Sequence, residues 1–406
     1  QGQPPHRRNR ELTTIGASTH FPIAIIGGGL GGLTAARVLH ARGIEAAVFE
    51  LEASRYARAQ GGMLDIHDDT GQRALHAADL WEQFTPLIHR GGEAMRILDH
   101  RGTVLRDEAD DGQLIRPEVD RGQLRDILLV SLPARTVHWG RKVCAVRTVD
   151  GFPGRHEVEF TDGEAITTDL LIGADGAWSM VRPLMSGARP VYTGISFVEA
   201  DLFDADERHP AEAAAMGRGM LFAFNGPTGV LGHREIDDTL HVYLGLRVSE
   251  SWIDTIDFAD IAASKTALLA RIDGWDDALR GLIAHADTPL TPRRIHALPV
   301  GHSWERTPGT TLLGDAAHMM SPFAGEGANL AMYDGAQLAL AIAENAGSTE
   351  EALAAYEADL FPRSADSARE SAGSLDLLFC DDSPGPLTST FEEFDRQSAE
   401  SAPVTR

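Results

Sequence analysis

The chain has 406 residues, 43 % of them hydrophobic and 24 % charged, with a formal net charge of −24 at pH 7. That length exceeds what a single core usually organises, so two lobes are expected. The acidic balance argues against nucleic acid and anionic membranes as partners. Two cysteines, Cys144 and Cys380, form no CxxC pair, which excludes a redox-active disulfide and speaks against a disulfide scaffold. No run of about 18 apolar residues occurs, so no stable membrane association is expected. Residues 1–20 are polar and basic without an apolar stretch, so they read as a disordered leader and not as a signal peptide; a cytoplasmic protein is expected.

In chain order, residues 23–26 are apolar on both faces, as a buried parallel strand requires. Residues 27–32 make a glycine-rich turn. Residues 31–42 read as a helix, with Leu30, Leu33, Ala36 and Leu39 on one stripe and Gly43 as the stop; 46–50 is the next strand of a βαβ unit. Residues 71–89 read as helical, 94–98 and 103–105 as a hairpin, and 120–132 as a helix ended by Pro133. Segments 137–149 and 156–160 alternate like strands, and 169–173 is again a fully apolar strand. Strand-like segments recur at 195–203, 219–225, 228–234 and 239–248, which predicts an antiparallel sheet in a second lobe. Residues 257–285 read as helical, 294–300 and 310–313 as strands, 329–344 and 350–378 as helices, and 381–406 as a flexible tail.

Two separated motifs carry the chemistry. Gly27-x-Gly29-x-x-Gly32 follows a strand and opens a helix. Gly27 allows the turn, Gly29 lets backbone approach a pyrophosphate, and Gly32 lets helix and strand pack. Leu30 sits inside this turn. Glu50, 18 residues beyond Gly32, has the spacing of a carboxylate that accepts from ribose hydroxyls. Far downstream, Gly314-Asp315 ends a second strand. Asp315 is placed either to accept from a sugar-like chain such as ribityl or to cap the next helix. Pro322, Gly325, Gly327, Ala328 and Asn329 lie in a loop leading to a helix, whose amides could stabilise negative charge on a flavin ring. A nicotinamide alone needs only the first motif; FAD, held extended and gripped at both ends, needs both. Asp175, in Ala174-Asp175-Gly176, contacts the cofactor or organises its loop. Arg121 and Arg125 share a helix face, so one reaches the cofactor or both are solvated.

Residues 27–32, Asp175-Gly176 and Gly314-Asp315 together resemble the class A flavoprotein monooxygenases of the p-hydroxybenzoate-hydroxylase-like group, over residues 21–378. Within that group, the stretches 60–67, which includes Gly62, 117–125 and 320–327 resemble the tetracycline-inactivating flavin monooxygenases. The resemblance implies that Arg121 contacts the cofactor, Asp315 binds ribityl, and residues 322–329 lie beside the isoalloxazine. It implies transient NAD(P)H as reductant, since no second glycine-rich unit exists. It also implies O₂ as co-substrate, a C4a-hydroperoxyflavin as the oxygen donor, and an aromatic or polyketide small molecule as substrate. His241 falls on a strand matching one that carries a substrate-binding histidine, though a lone strand histidine is also a common structural residue. Met220, Phe222, Pro322 and Phe323 are expected to shield the reacting oxygen from water.

The expected fold is α/β: a Rossmann-like FAD-binding domain with an inserted, mainly antiparallel substrate domain and a long C-terminal helix. The FAD-binding parts are 21–81, 109–187 and 286–345, the substrate parts 82–108 and 188–285, and the bridging helix 346–380. A monomer is expected. Sixteen histidines prompt a search for metal sites, but no HExxH, HxxxH or Cys/His cluster appears, so no metal is expected. Asp65-x-His67-Asp68-Asp69 could coordinate a cation but reads better as a polar turn capping the helix at 71. No GxSxG supports an esterase. A biosynthetic tailoring hydroxylase and a flavin reductase that does not activate O₂ are the alternatives.

Overall fold

The computed structural model describes residues 19–57, 62–110 and 112–401. Residues 1–18 of the expected leader and the start of the 60–67 motif lie outside these, whereas Thr19 and His20, read as part of the leader, begin the first strand. In chain order, β1 (Thr19–Ile26), α1 (Leu30–Ala41) and β2 (Ala47–Phe49) form the first βαβ unit, followed by β3 (Met63–Asp65), α2 (Gly71–Ala77) and α3 (Trp81–Phe84). Next come β4 (Met95–Asp99), β5 (Val104–Glu108), β6 (Glu118–Asp120), α4 (Arg121–Val130), β7 (Val137–His138), β8 (Val143–Thr148), β9 (His156–Phe160) and β10 (Ala165–Gly173). The second half holds β11 (Val191–Leu202), α5 (Ala205–Arg208), α6 (Pro210–Met216), β12 (Met220–Asn225), β13 (Thr228–Arg234), β14 (Leu240–Arg247), α7 (Ile261–Leu269), α8 (Asp277–Ala284) and β15 (Thr291–Ala297). It closes with β16 (Thr310–Leu312), α9 (Asp315–His318), α10 (Glu326–Glu344), α11 (Thr349–Leu378) and α12 (Gly385–Ser401).

The first lobe is built on a sheet ordered β7-β2-β1-β10-β9-β8, with β16 also on β10. Strands β1, β2, β7, β10 and β16 run parallel, and the β8–β9 hairpin extends the sheet antiparallel. Because β10 lies between β1 and β16, the ends of strands almost three hundred residues apart meet: Ile26 pairs with Gly173, and Gly173 with Leu312. The second lobe is a sheet ordered β15-β11-β14-β13-β12-β4-β5, antiparallel except where β12 runs parallel to β4. Strict alternation gives it two unlike faces. Val198, Ala200, Val242, Leu244, Val230 and Leu221 pack with the leucines of α8 into one core. Phe197, Tyr243, Phe222 and Leu231 point the other way, toward the first lobe.

Helix α11 joins the lobes. Leu353, Tyr356 and Leu360 belong to the first core, whereas Leu375, Leu378 and the following Phe379 join the cluster on the second sheet. Three boundaries differ from the sequence reading. Strand β15 pairs with β11, so residues 291–297 belong to the substrate-side sheet. Phe84 packs in the first core, so 82–88 do not belong to the second lobe. The C-terminal segment read as a flexible tail is helical over Gly385–Ser401 and tied down by Arg106, which grips Asp395 through two bonds of 2.9 and 3.0 Å and lies over Phe391. Its polar composition hid a helix whose anchor is 289 residues away in sequence.

Candidate cofactor and substrate site

The glycine turn has the geometry its residue types require. Gly27 has φ +109°, and a Cβ there would lie 2.2 Å from the Ala174 carbonyl oxygen. A Cβ on Gly32 would lie 2.1 Å from the Gly27 oxygen, which is how closely α1 packs on the turn. Nothing lies within 4 Å of a Cβ at Gly29, which faces an open crevice. Gly28, Gly29, Leu30, Glu50, Glu52, Arg121 and Arg125 line that crevice.

Glu50 is buried at the end of β2. Its Oε2 accepts from the Gly28 amide at 2.6 Å and its Oε1 from the Glu52 amide at 2.9 Å. It therefore shapes the turn, and each oxygen keeps a second lone pair for a ligand. Sequence spacing left Arg121 and Arg125 equivalent, but the structure separates them. Arg125 is buried, donates to the Gly28 carbonyl at 3.2 Å and pairs with Glu52 at 3.1 Å. Arg121 begins α4, and its charge favours ionisation of Asp315. Glu52 was missed because no motif marks it, whereas Arg125 was one of the two candidates that the i, i+4 relation put on one face.

The two motifs converge on one residue of α10. A Cβ on Gly31 would lie 2.7 Å from the Ala331 oxygen, and one on Gly314 would lie 3.0 Å from the Ala331 Cβ. Gly314 precedes α9 and makes no side-chain cap, and Asp315 is not spent as a cap either. Asp315 is exposed as a residue, yet enough protein surrounds its carboxyl that desolvation pushes it above the ordinary range, opposed by His318, Arg121 and Arg182. Asp175 does organise its loop: Oδ2 accepts from the Met180 amide at 2.7 Å and Val181 at 3.3 Å. Its Oδ1 is buried without a partner, and burial raises its pKa.

Two supporting networks escaped sequence reasoning. Asp334, fully buried, accepts from the Gly314 amide at 2.9 Å, from His318 at 2.6 Å and from Arg363 at 2.9 Å. Burial opposes its charge, but these two cations hold its pKa below the usual carboxylate value. Arg182, also buried, donates to the carbonyls of Ala177 at 2.7 Å and Ala316 at 3.0 Å, joining the Asp175 loop to α9. Both depend on tertiary neighbours with no local pattern.

The loop after α9 carries a short 3₁₀ turn over Pro322–Ala324 and then Gly325 in the left-handed region, φ +68°, at the start of α10. Asn329 was expected at the cofactor, but its side chain is committed to the protein: Oδ1 accepts from the His67 amide at 2.9 Å, and Nδ2 donates to the carbonyls of Asp65 and Gly325 at 2.8 and 3.2 Å. Ala328 packs against the first core. Positions Gly62 and Gly327 have nothing within 4 Å of an added Cβ.

The second lobe presents the expected substrate residues on one face. Across the strands, Asp201, His241, His233, Met220 and Met95 form one row, and Glu199, Tyr243, Leu231 and Phe222 the next. His241 Nδ1 lies 2.5 Å from Asp201 Oδ1, with the Tyr243 ring edge-on at 4.6 Å. Burial would lower the imidazole pKa, but Asp201 and Glu235 raise it. Phe323 reaches this face from the α9–α10 loop, packing edge-on against Phe197 at 5.6 Å and Phe379 at 5.3 Å. Elsewhere among the described residues, His209 just before α6, Glu212 on α6 and His285 just after α8 come together. They are joined by the His285–Glu212 pair at 2.6 Å, on the side of the sheet away from the crevice.

A family model described as FAD binding domain matches residues 20–205 and 282–371. The chain is 29 % identical over 435 residues to the monooxygenase penA of Penicillium thymicola, covering 92 % of this chain and 99 % of that protein. It is 27 % identical over 360 residues to the FAD-dependent urate hydroxylase of Mycolicibacterium vanbaalenii, covering 85 % of each. Its fold is that of Klebsiella pneumoniae HpxO complexed with FAD and uric acid, with TM-score 0.75, 22 % identity and 93 % of both chains covered. The tetracycline destructase Tet(51) has the same fold, with TM-score 0.69, 17 % identity, and 94 % and 96 % coverage.

Proposed function

We propose a substrate class, a reductant and residue roles for this chain, which belongs to the FAD binding domain family and is an FAD-dependent monooxygenase. The residues present suit the cofactor: an open glycine at the helix start, a buried Asp175 oxygen lacking a partner, and an exposed Asp315 whose carboxyl feels the charge of Arg121. Arg121, Arg125, Glu50 and the start of α1 would hold the adenosine and pyrophosphate end. Asp315 would accept from ribityl, and the 322–327 loop would flank the ring. When bound and reduced, FAD supplies activation of O₂ and transfer of one oxygen atom.

The substrate proposed is a polycyclic aromatic or polyketide compound such as a tetracycline, with NAD(P)H as a transiently docked reductant. The observation that carries this reading is the aromatic face of Phe197, Phe222 and Tyr243 meeting Phe323 where the lobes join. Such a wall suits a fused planar ring, and His241, oriented by Asp201, offers one polar contact at its edge. Phe323 and Phe222 would keep water from the reacting centre, and no general acid or base is assigned. The urate hydroxylase relative favours a second reading, a smaller nitrogen heterocycle. A panel of aromatic polyketides and heterocycles tests both, scored for stimulated NAD(P)H oxidation, oxygen uptake and a product heavier by one oxygen. Stimulation only by small heterocycles would overturn the polyketide reading; NAD(P)H oxidation without oxygen in any product would overturn both.

A further inference from the structure

The Asp65–His67 pair, read from sequence as a polar turn before α2, serves neither as a helix cap nor as an exposed turn. The α2 cap is Thr70, without a side-chain bond. His67 instead reaches across to α10. Its Nε2 lies 2.8 Å from Asp65 Oδ2 and its Nδ1 3.0 Å from Glu326 Oε1, with the side chain only 3 % exposed. Both ring nitrogens face carboxylates, so both must donate, which requires the imidazolium form. The same segment is locked by Asn329, through the His67 amide and the Asp65 and Gly325 carbonyls. Gly325 sits directly on the triad: a Cβ there would lie 3.3 Å from Asp65 Oδ2 and 3.6 Å from His67 Nε2.

We propose that His67 is a positioning residue that clamps the 322–327 loop, through Glu326 and Gly325, in the shape that the flavin ring requires. The inference rests on the reading of that loop as the flavin-ring contact. The loop's far side is held by Ser321, whose hydroxyl lies 2.6 Å from that of Ser371, and by the Phe323 packing, so the His67 clamp fixes the side where α10 begins. Arg116, 3.7 Å from Asp65, faces the triad from outside. Burial alone would lower the His67 pKa, but the bonds to Asp65 and Glu326 more than offset it and hold it at about 9, so the clamp is charged at neutral pH.

The test compares His67→Ala, Glu326→Gln and the wild-type holoenzyme for FAD affinity, flavin visible spectrum, midpoint potential and flavin reduction rate with saturating NADH or NADPH, whichever reduces the wild type. The expected result is FAD affinity weakened by about tenfold, a shifted potential, and reduction slowed by up to about 100-fold, as a small misplacement near reacting atoms can cause. His67→Gln, which keeps one donor, should recover part of the loss. Variants that melt lower but keep the wild-type spectrum, potential and FAD affinity would overturn the proposal and leave His67 a purely structural tie. If His67→Ala does not fold, Glu326→Gln decides alone. Wild-type enzyme that fails to bind FAD would sink the cofactor reading itself, a separate outcome.

Discussion

At Asp315 desolvation opposes the charged carboxylate and raises its pKa, against the pull of His318, Arg121 and Arg182. Raised acid pKa values mean the folded state resists ionisation, so the group costs stability above that pKa and the cost vanishes as pH falls through it. Asp315→Asn should therefore raise the melting temperature of the FAD-free protein slightly while weakening FAD binding; thermal melts and FAD titration check both signs. His67 works in the opposite direction. Its folded pKa of about 9 exceeds the ordinary 6.5, so its contribution is complete below about pH 6.5 and is lost as pH rises through 9. At about 1.4 kcal/mol per pKa unit the contribution is of order 3 kcal/mol, shared with Asp65, Glu326 and Arg116, which face it. Urea melts at pH 6 and pH 9.5 should show a larger stability drop for wild type than for His67→Asn. Phe323→Ala should leave FAD bound but raise peroxide release per NAD(P)H consumed; unchanged coupling would remove Phe323 from the shield.

Among the elements, α10 and α11 set the second half of the site. Asp334 on α10 draws in the Gly314 turn, His318 and Arg363 of α11. Asp334→Ala removes the acceptor of the Gly314 amide and of His318 and leaves Arg363 with Asp359 alone; breaking a buried pair typically costs about 3–5 kcal/mol. A melting temperature within a few degrees of wild type would show that the network is not what holds the turn. Glu357 of α11 similarly accepts from Trp304 and Thr311 at 3.0 and 2.7 Å, fastening the helix to β16. The existence of both helices was readable from their periodicity. Their partners were not, because residues such as Asp334 and Arg363 look like ordinary helix surface until the fold places them opposite each other. The four central strands of the second sheet were likewise readable from alternation and turns. Strand β15 was assigned to the wrong lobe because alternation identifies a strand without naming its neighbour.

For the whole molecule, two lobes share one long helix and an aromatic seam, and a cofactor that bridges distant segments should tighten all of them together. Ligand binding only to the folded state stabilises by RT ln(1 + [L]/Kd), about 4 kcal/mol at a thousandfold excess over Kd. FAD at that excess should raise the melting temperature of the whole chain in one transition; a shift confined to one of two separate transitions would show that the lobes are uncoupled. Among the described residues, no helix is long and apolar enough to cross a membrane.

Glycine and aspartate motifs were legible in one dimension because a tight turn, a close backbone approach and a strand end each demand particular residue types at particular spacings. Gly27, Gly32, Glu50, Asp175 and Asp315 could be picked out on those grounds alone. Residues that act by packing or pairing across the chain carry no such local demand. That Arg125 and not only Arg121 lines the crevice, that Asn329 braces the loop, and that His67 is shared between Asp65 and Glu326 follow from which surfaces the parallel sheet brings into contact. Charge pairs are selected by distance in space, and that distance exists only once β10 has seated β1 and β16 side by side.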